Sequence, residues 1–111
     1  MIIKDQISKR FNDFKTLCVN HNVKFLYAFG SSTTDVFDQE KSDIDLLVEI
    51  DLKDPLERGE TLISLWDGFE SFFNRKVDLL TENSIQNPFL RISVDATKIL
   101  IYDGTGQKVL I

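Results

Sequence analysis

Two aspartates separated by a single residue, Asp43 and Asp45 in Ser42-Asp43-Ile44-Asp45-Leu46-Leu47-Val48, are the most chemically pointed feature of this 111-residue chain. Successive side chains on a strand face opposite ways, so the two carboxylates share one face while Ile44, Leu46 and Val48 share the other. Along a strand the pair stands roughly 6–7 Å apart, and both can reach one ion lying between them. Without a cation the arrangement is unfavourable, because like charges repel and Asp is depleted in strands. A hard divalent cation such as Mg²⁺, which takes carboxylate oxygens together with substrate phosphates, removes the conflict. A solvent-facing strand can carry the same triplet. The continuation Leu46-Leu47-Val48 instead marks a strand buried over most of its length, where unpaired charge is costly.

Two further features join this pair. Gly30-Ser31 ends an apolar run and opens a short helix predicted over residues 31–37, with Ser31 as N-cap. Glycine there lets a phosphate approach the backbone, and free N–H groups at a helix start favour an anion. A plain turn uses the same dipeptide. Asp78, inside Lys76-Val77-Asp78-Leu79-Leu80, is a lone acid in a short apolar strand, equally at home on a strand edge. The remaining polar or aromatic singletons read as structural. His21 caps or follows a helix end, Cys18 lies on an apolar helix face, and Trp66 belongs to an apolar stripe.

The elements that must position these residues follow from periodicity. Ile3, Ile7, Phe11, Phe14, Leu17 and Cys18 recur at helical spacing and predict one amphipathic helix over 2–20. Val23 to Phe29 is a β-rich apolar run and predicts the first strand. Residues 43–50 predict the second. Pro55 suits the first turn of a helix running to about Asn74, with Leu62, Leu65, Trp66, Phe69, Phe72 and Phe73 on its buried face. Residues 76–81 predict a third strand, 83–96 a helix begun or interrupted near Pro88, and 98–102 a fourth strand. Residues 107–111 are left as a tail. The order αβαβαβαβ implies an α/β (α+β) fold, a mixed four-stranded sheet with helices packed against it, in a single domain spanning 1–111.

Charge and composition narrow the partners. The net charge of −5 disfavours nucleic-acid phosphates. No apolar run approaches the ~20 residues needed to cross a bilayer, so no membrane is expected. The N-terminus lacks a signal-peptide layout, and one cysteine cannot form an internal disulfide. A cytoplasmic setting fits these features.

Taken together, Gly30-Ser31, Ser42-Asp43-Ile44-Asp45-Leu46 and the later Asp78 resemble the minimal nucleotidyltransferases of the DNA polymerase beta superfamily. There a Gly-Ser turn precedes a strand bearing Asp-x-Asp, and a third Asp follows on a later strand. The resemblance covers nearly the whole chain. It departs where the family has Ala-Arg-Gly and this chain has Thr33-Thr34-Asp35. Lys41, Arg58, Arg75, Lys76 and Arg91 are the candidates to replace the missing arginine. The resemblance implies transfer of a nucleoside monophosphate, AMP from ATP, to an acceptor hydroxyl. It also implies two Mg²⁺ ions held by Asp43, Asp45 and Asp78, with Gly30 and Ser31 on the triphosphate. Minimal members work beside a helical partner, and the resemblance implies a HEPN-type toxin whose tyrosine is the acceptor, the chain being its antitoxin. The alternative is a non-catalytic nucleotide- or partner-binding module of the same fold. Small-molecule enzymes of this kind carry an added helical domain, and a nucleic-acid end as acceptor is opposed by the acidic charge.

Overall fold

The β-forming runs Val23–Ala28 and Ile44–Ile50 pair antiparallel, and around them the computed structural model, which describes residues 2–33 and 43–111, builds a five-stranded sheet. The elements run α1 (Ile2–Lys9), α2 (Phe11–Asn20), β1 (Val23–Ala28), a one-turn 3₁₀ helix (Gly30–Thr33), β2 (Ile44–Ile50) and α3 (Pro55–Phe73). They continue through β3 (Val77–Leu80), a second 3₁₀ turn (Glu82–Ser84), α4 (Pro88–Thr97), β4 (Ile99–Asp103) and β5 (Lys108–Val109). The sheet order is β3-β2-β1-β4-β5. Only β2 and β3 are parallel, as a strand–helix–strand crossover through α3 requires.

The predicted four strands are thus five. Residues 107–111 were expected to be a tail, but Val109 pairs with Tyr102 and Lys108 with Asp103. The reversal is held locally: the Asp103 carboxylate accepts the Thr105 N–H at 3.0 Å and its hydroxyl at 2.6 Å. A two-residue strand has no periodicity to read.

The single helix predicted over 2–20 is two, broken at Arg10, whose backbone leaves the helical region at φ −133°, ψ 47°. The cause is tertiary. The Arg10 guanidinium donates to the Phe72 carbonyl at 3.1 Å and lies 4.5 Å over the Phe72 ring. The break also expels Phe11 from the apolar stripe, leaving it 43% exposed. Phe14 then enters the core against Phe69, Phe72 and Phe73, with ring centroids 5.5 to 6.4 Å away. Cys18 is buried beside them, and burial pushes its thiol up to about 12, so it serves as an inert small hydrophobe. His21 caps α2 as read and ties it to α3: its ring nitrogens meet the Leu17 carbonyl at 2.8 Å and the Ser64 hydroxyl at 2.9 Å.

α3 starts where Pro55 predicts. The Asp54 carboxylate accepts the Glu57 N–H at 3.3 Å, and Pro55 occupies the first turn. It ends at Asn74, in the left-handed region at φ 51°. Leu65, Phe69, Phe72 and Phe73 face the core as expected. Trp66 does not. It is 37% exposed, and its indole Nε1–H donates to the Val77 carbonyl at 2.6 Å. Of the two alternatives near Pro88, α4 begins there, with Asn87 accepting from the N–H groups of Phe89 and Leu90.

One face of the sheet, through Leu26, Ile44, Leu46, Val77 and Leu79, packs on α1, α2 and α3. The other carries Phe29 and Leu47, covered by Val94 of α4 and by Ile85. β2 is therefore buried through Leu46, Leu47 and Val48, while Glu49 returns to solvent. No described helix is long and apolar enough to cross a membrane.

Phe14 sits at the centre of the aromatic cluster. Phe14→Ala is expected to cost about 3–5 kcal/mol of unfolding free energy. Urea titration checks this, and a loss below 1 kcal/mol would place the core elsewhere.

Candidate active site

Parallel pairing of β2 with β3 brings the acids together. Ile44 pairs with Val77 and Asp45 with Asp78. Paired residues on adjacent strands project to one face and lie about 4.8 Å apart. The core claims Ile44, Leu46, Val77 and Leu79 for the opposite face. Asp45 and Asp78 must then stand side by side on the face of Leu47.

The electrostatics register this crowding. Burial pushes the Asp45 carboxyl up from 3.8 to about 6, reinforced by the charges of Asp78 and Asp43 and by its hydrogen bond with the Asp78 carboxylate. Asp43, just ahead of β2, is half-exposed and lies 3.9 Å from the Lys76 ammonium. Lys76, from the set of candidate cations, is thus placed at the carboxylates. Arg58 instead donates to the Leu52 and Lys53 carbonyls at the far end of β2, and Arg91 pairs with Glu82 and Asp95. Lys41, Ser42, Thr34 and Asp35 lie outside the described residues, as does the predicted helical stretch up to Phe37.

The glycine turn presses directly on this cluster. Gly30 has φ +65°, and a Cβ there would stand 2.8 Å from Asp45 Oδ2. Both facts demand glycine, one for the backbone and one for the carboxylate. The turn differs from the prediction in two ways. It is a single 3₁₀ turn beginning at Gly30 itself, so Ser31 is not its cap but a half-buried residue inside it. The Gly30 N–H is also not open to an anion, because it donates to Thr97 Oγ1 at 2.8 Å.

Ser32, which no motif marks, and Thr33, known only as a departure from the family pattern, hold the turn. Ser32, 1% exposed, accepts the Asp45 N–H on its hydroxyl at 2.9 Å. The Thr33 hydroxyl donates to the Gly30 carbonyl at 3.0 Å and to the Thr97 carbonyl at 3.2 Å. Thr97 lies at the end of α4, and nothing local in the sequence signals that it reaches Gly30.

The donor set suits a hard divalent cation. Asp43 and Asp78 both raise the Asp45 carboxyl, on top of its burial, and a cation beside it would relieve that crowding. Among the described residues no group of three His, Cys, Asp or Glu side chains is set to hold a metal as it stands. Asp43 is engaged by the Lys76 ammonium at 3.9 Å.

Known proteins place the chain in a family. The polymerase beta nucleotidyltransferase family model matches residues 12–105. Two Methanocaldococcus jannaschii proteins named as protein adenylyltransferases are similar. One is 37% identical over 87 residues, 78% of this chain and 85% of the relative. The other is 34% identical over 99 residues, 89% of this chain and 94% of the relative. A solved structure described as a minimal nucleotidyltransferase superposes with a TM-score of 0.55 at 26% identity, covering 85% of this chain and 93% of that one. A toxin–antitoxin structure with AMP-PNP shares the fold, with a TM-score of 0.56 at 23% identity over 83% of this chain and 72% of its own.

A carboxyl whose pKa rises on folding binds its proton more tightly in the native state, so stability falls as pH climbs from about 4 to about 6. Asp45→Asn removes that loss. In chelator at pH 7.5 the variant is expected to be more stable than the parent, by at most roughly 3 kcal/mol. The advantage is expected to vanish below about pH 4, where Asp45 is protonated in both states. Coincident melting curves at pH 7.5 would contradict the crowding of these acids.

Proposed function

Because the chain belongs to the polymerase beta nucleotidyltransferase family and is a nucleotidyltransferase, we propose that it transfers AMP from ATP to a protein hydroxyl at a centre formed by Asp43, Asp45 and Asp78. The observation that carries this is the in-register pairing of Asp45 with Asp78, which gathers acidic charge at one end of β2 and β3. The relatives named as protein adenylyltransferases support AMP and a protein acceptor.

The carboxylates of Asp43, Asp45 and Asp78 would hold two Mg²⁺ ions, which when bound supply positive charge to the triphosphate and to the reacting oxygens. Asp78, on the outer strand, accepts the proton of the acceptor hydroxyl. The acceptor oxygen bonds to the α-phosphorus, the bond from that phosphorus to the bridging oxygen breaks, and pyrophosphate leaves. Ser31 and the rest of the Gly30–Thr33 turn meet the β- and γ-phosphates, with Lys76 close enough to add positive charge. The turn is anchored to α4 through Thr97, so it offers a fixed surface, and fixed donors contribute more than mobile ones.

The acceptor we favour is a tyrosine of a helical HEPN-type toxin, with this chain as its antitoxin. The family resemblance supports this partner, and the toxin–antitoxin pair that shares the fold is consistent with it. The net charge of −5 is compatible with a basic, RNA-binding partner.

Asp45→Asn and Asp78→Asn are each expected to lower transfer of labelled AMP to a co-purified partner by roughly 10³-fold or more, with the circular dichroism spectrum unchanged. Mg²⁺ is expected to raise the melting temperature of the parent and not of the double variant. Transfer that survives in the double variant sinks the assignment. Nucleotide binding with no mass gain on the partner would favour the non-catalytic module instead.

A further inference from the structure

β3 carries Asp78, yet it is only four residues long and lies at the edge of the sheet, paired on one side alone. An edge strand this short frays readily, because one ladder must hold it. Its first residue, Val77, is treated differently from an ordinary edge residue. The N–H and C=O of one strand residue point to the same side, and for Val77 that side is away from β2. Both groups are taken by α3. Trp66 Nε1–H donates to the Val77 carbonyl at 2.6 Å, and the Glu70 carboxylate accepts the Val77 N–H at 3.0 Å. Trp66 and Glu70 stand four residues apart and so share one flank of the helix. On the inner side the Ile44 N–H donates to the Lys76 carbonyl at 3.1 Å, and the Val77 side chain is fully buried. Val77 is therefore held on three sides, one residue before Asp78.

We propose that Trp66 and Glu70 are positioning residues for the Asp78 carboxylate. The inference rests on the reading of Asp45 and Asp78 as the divalent-cation site. Two side chains of a rigid helix set the height of β3 against β2, and that height decides whether Asp78 meets Asp45. The cost of bringing two carboxylates together pushes the strands apart, and the clamp acts where that push is felt. It also accounts for a tryptophan that is left partly in water on an otherwise apolar stripe.

Trp66→Phe keeps the ring and deletes the donor. Glu70→Leu deletes the acceptor, and Glu70→Gln returns a carbonyl acceptor without the charge. Divalent binding is read without turnover, from the broadening of side-chain carboxyl resonances by Mn²⁺. Trp66→Phe and Glu70→Leu are expected to raise the Mn²⁺ half-saturation point about tenfold, as loss of a residue supporting a metal ligand does elsewhere. Val77 amide exchange is expected to accelerate about tenfold in both. AMP transfer should lose kcat with KM for ATP little changed, and Glu70→Gln should recover most of the Mn²⁺ affinity. A merely structural role would lower the melting temperature and leave Mn²⁺ binding where it was, which overturns the inference. Asp45→Asn is the separate control. If it loses Mn²⁺ while the clamp variants keep parental affinity, the clamp alone is wrong. If it still binds Mn²⁺ like the parent, the cation site itself is misplaced and the inference falls with it.

Discussion

Two carboxylates held against each other by strand register are the constraint on which the rest of this molecule turns. Neither Asp45 nor Asp78 would choose the other's company. The preference is imposed by their neighbours, since Ile44, Leu46, Val77 and Leu79 are all claimed by one apolar face. Side-chain direction alternates at every residue, so a one-residue slip of β3 would carry Asp78 into that core and turn Val77 and Leu79 outward. Burying four aliphatic side chains at about 1.5–3 kcal/mol each outweighs the repulsion of one half-buried acid pair. The hydrophobic core thus fixes the electrostatics, and the raised pKa of Asp45 is the visible residue of that contest.

Everything near the pair follows from accommodating it. Gly30 lacks a side chain where the Asp45 carboxylate lies. Ser32 is the one fully buried polar residue among those described, and it spends its hydroxyl on the Asp45 N–H. Thr97 joins the turn to α4, so the helix covering Leu47 also fixes the loop beside Asp45. The result is an acidic surface framed by short-range hydrogen bonds, which suits charge stabilisation by groups that need not reorganise.

Much of this was legible in the chain. The alternation around Asp43, Ile44 and Asp45 gave the correct faces, and the apolar continuation through Val48 gave burial on both sides. Pro55 located the start of α3, and Pro88 marked one of the two starts the pattern offered for α4. Three acids and a glycine turn were enough to suggest the family. Long-range contacts were not legible. The break at Arg10 arises from Phe72, 62 residues away, with no glycine or proline to mark it. The helical period placed Trp66 on the buried stripe, but its indole N–H follows a carbonyl that only the folded sheet supplies. The Gly30 N–H looked available because its partner, Thr97, is 67 residues distant. Sequence patterns record which face a residue takes, while partners across the fold decide which polar groups remain open.

The way the two margins of the sheet end has a consequence for how the protein behaves in a crowded solution. Sheets invite strand-on-strand self-association wherever a long row of backbone donors and acceptors lies bare. One margin is β5, only two residues long, and at the other the outward groups of Val77 are already occupied by a helix. Among the described residues, neither border offers a second copy a long ladder to grow upon. A chain this rich in phenylalanine is thereby guarded against templated aggregation by the finish of its borders rather than by its charge alone.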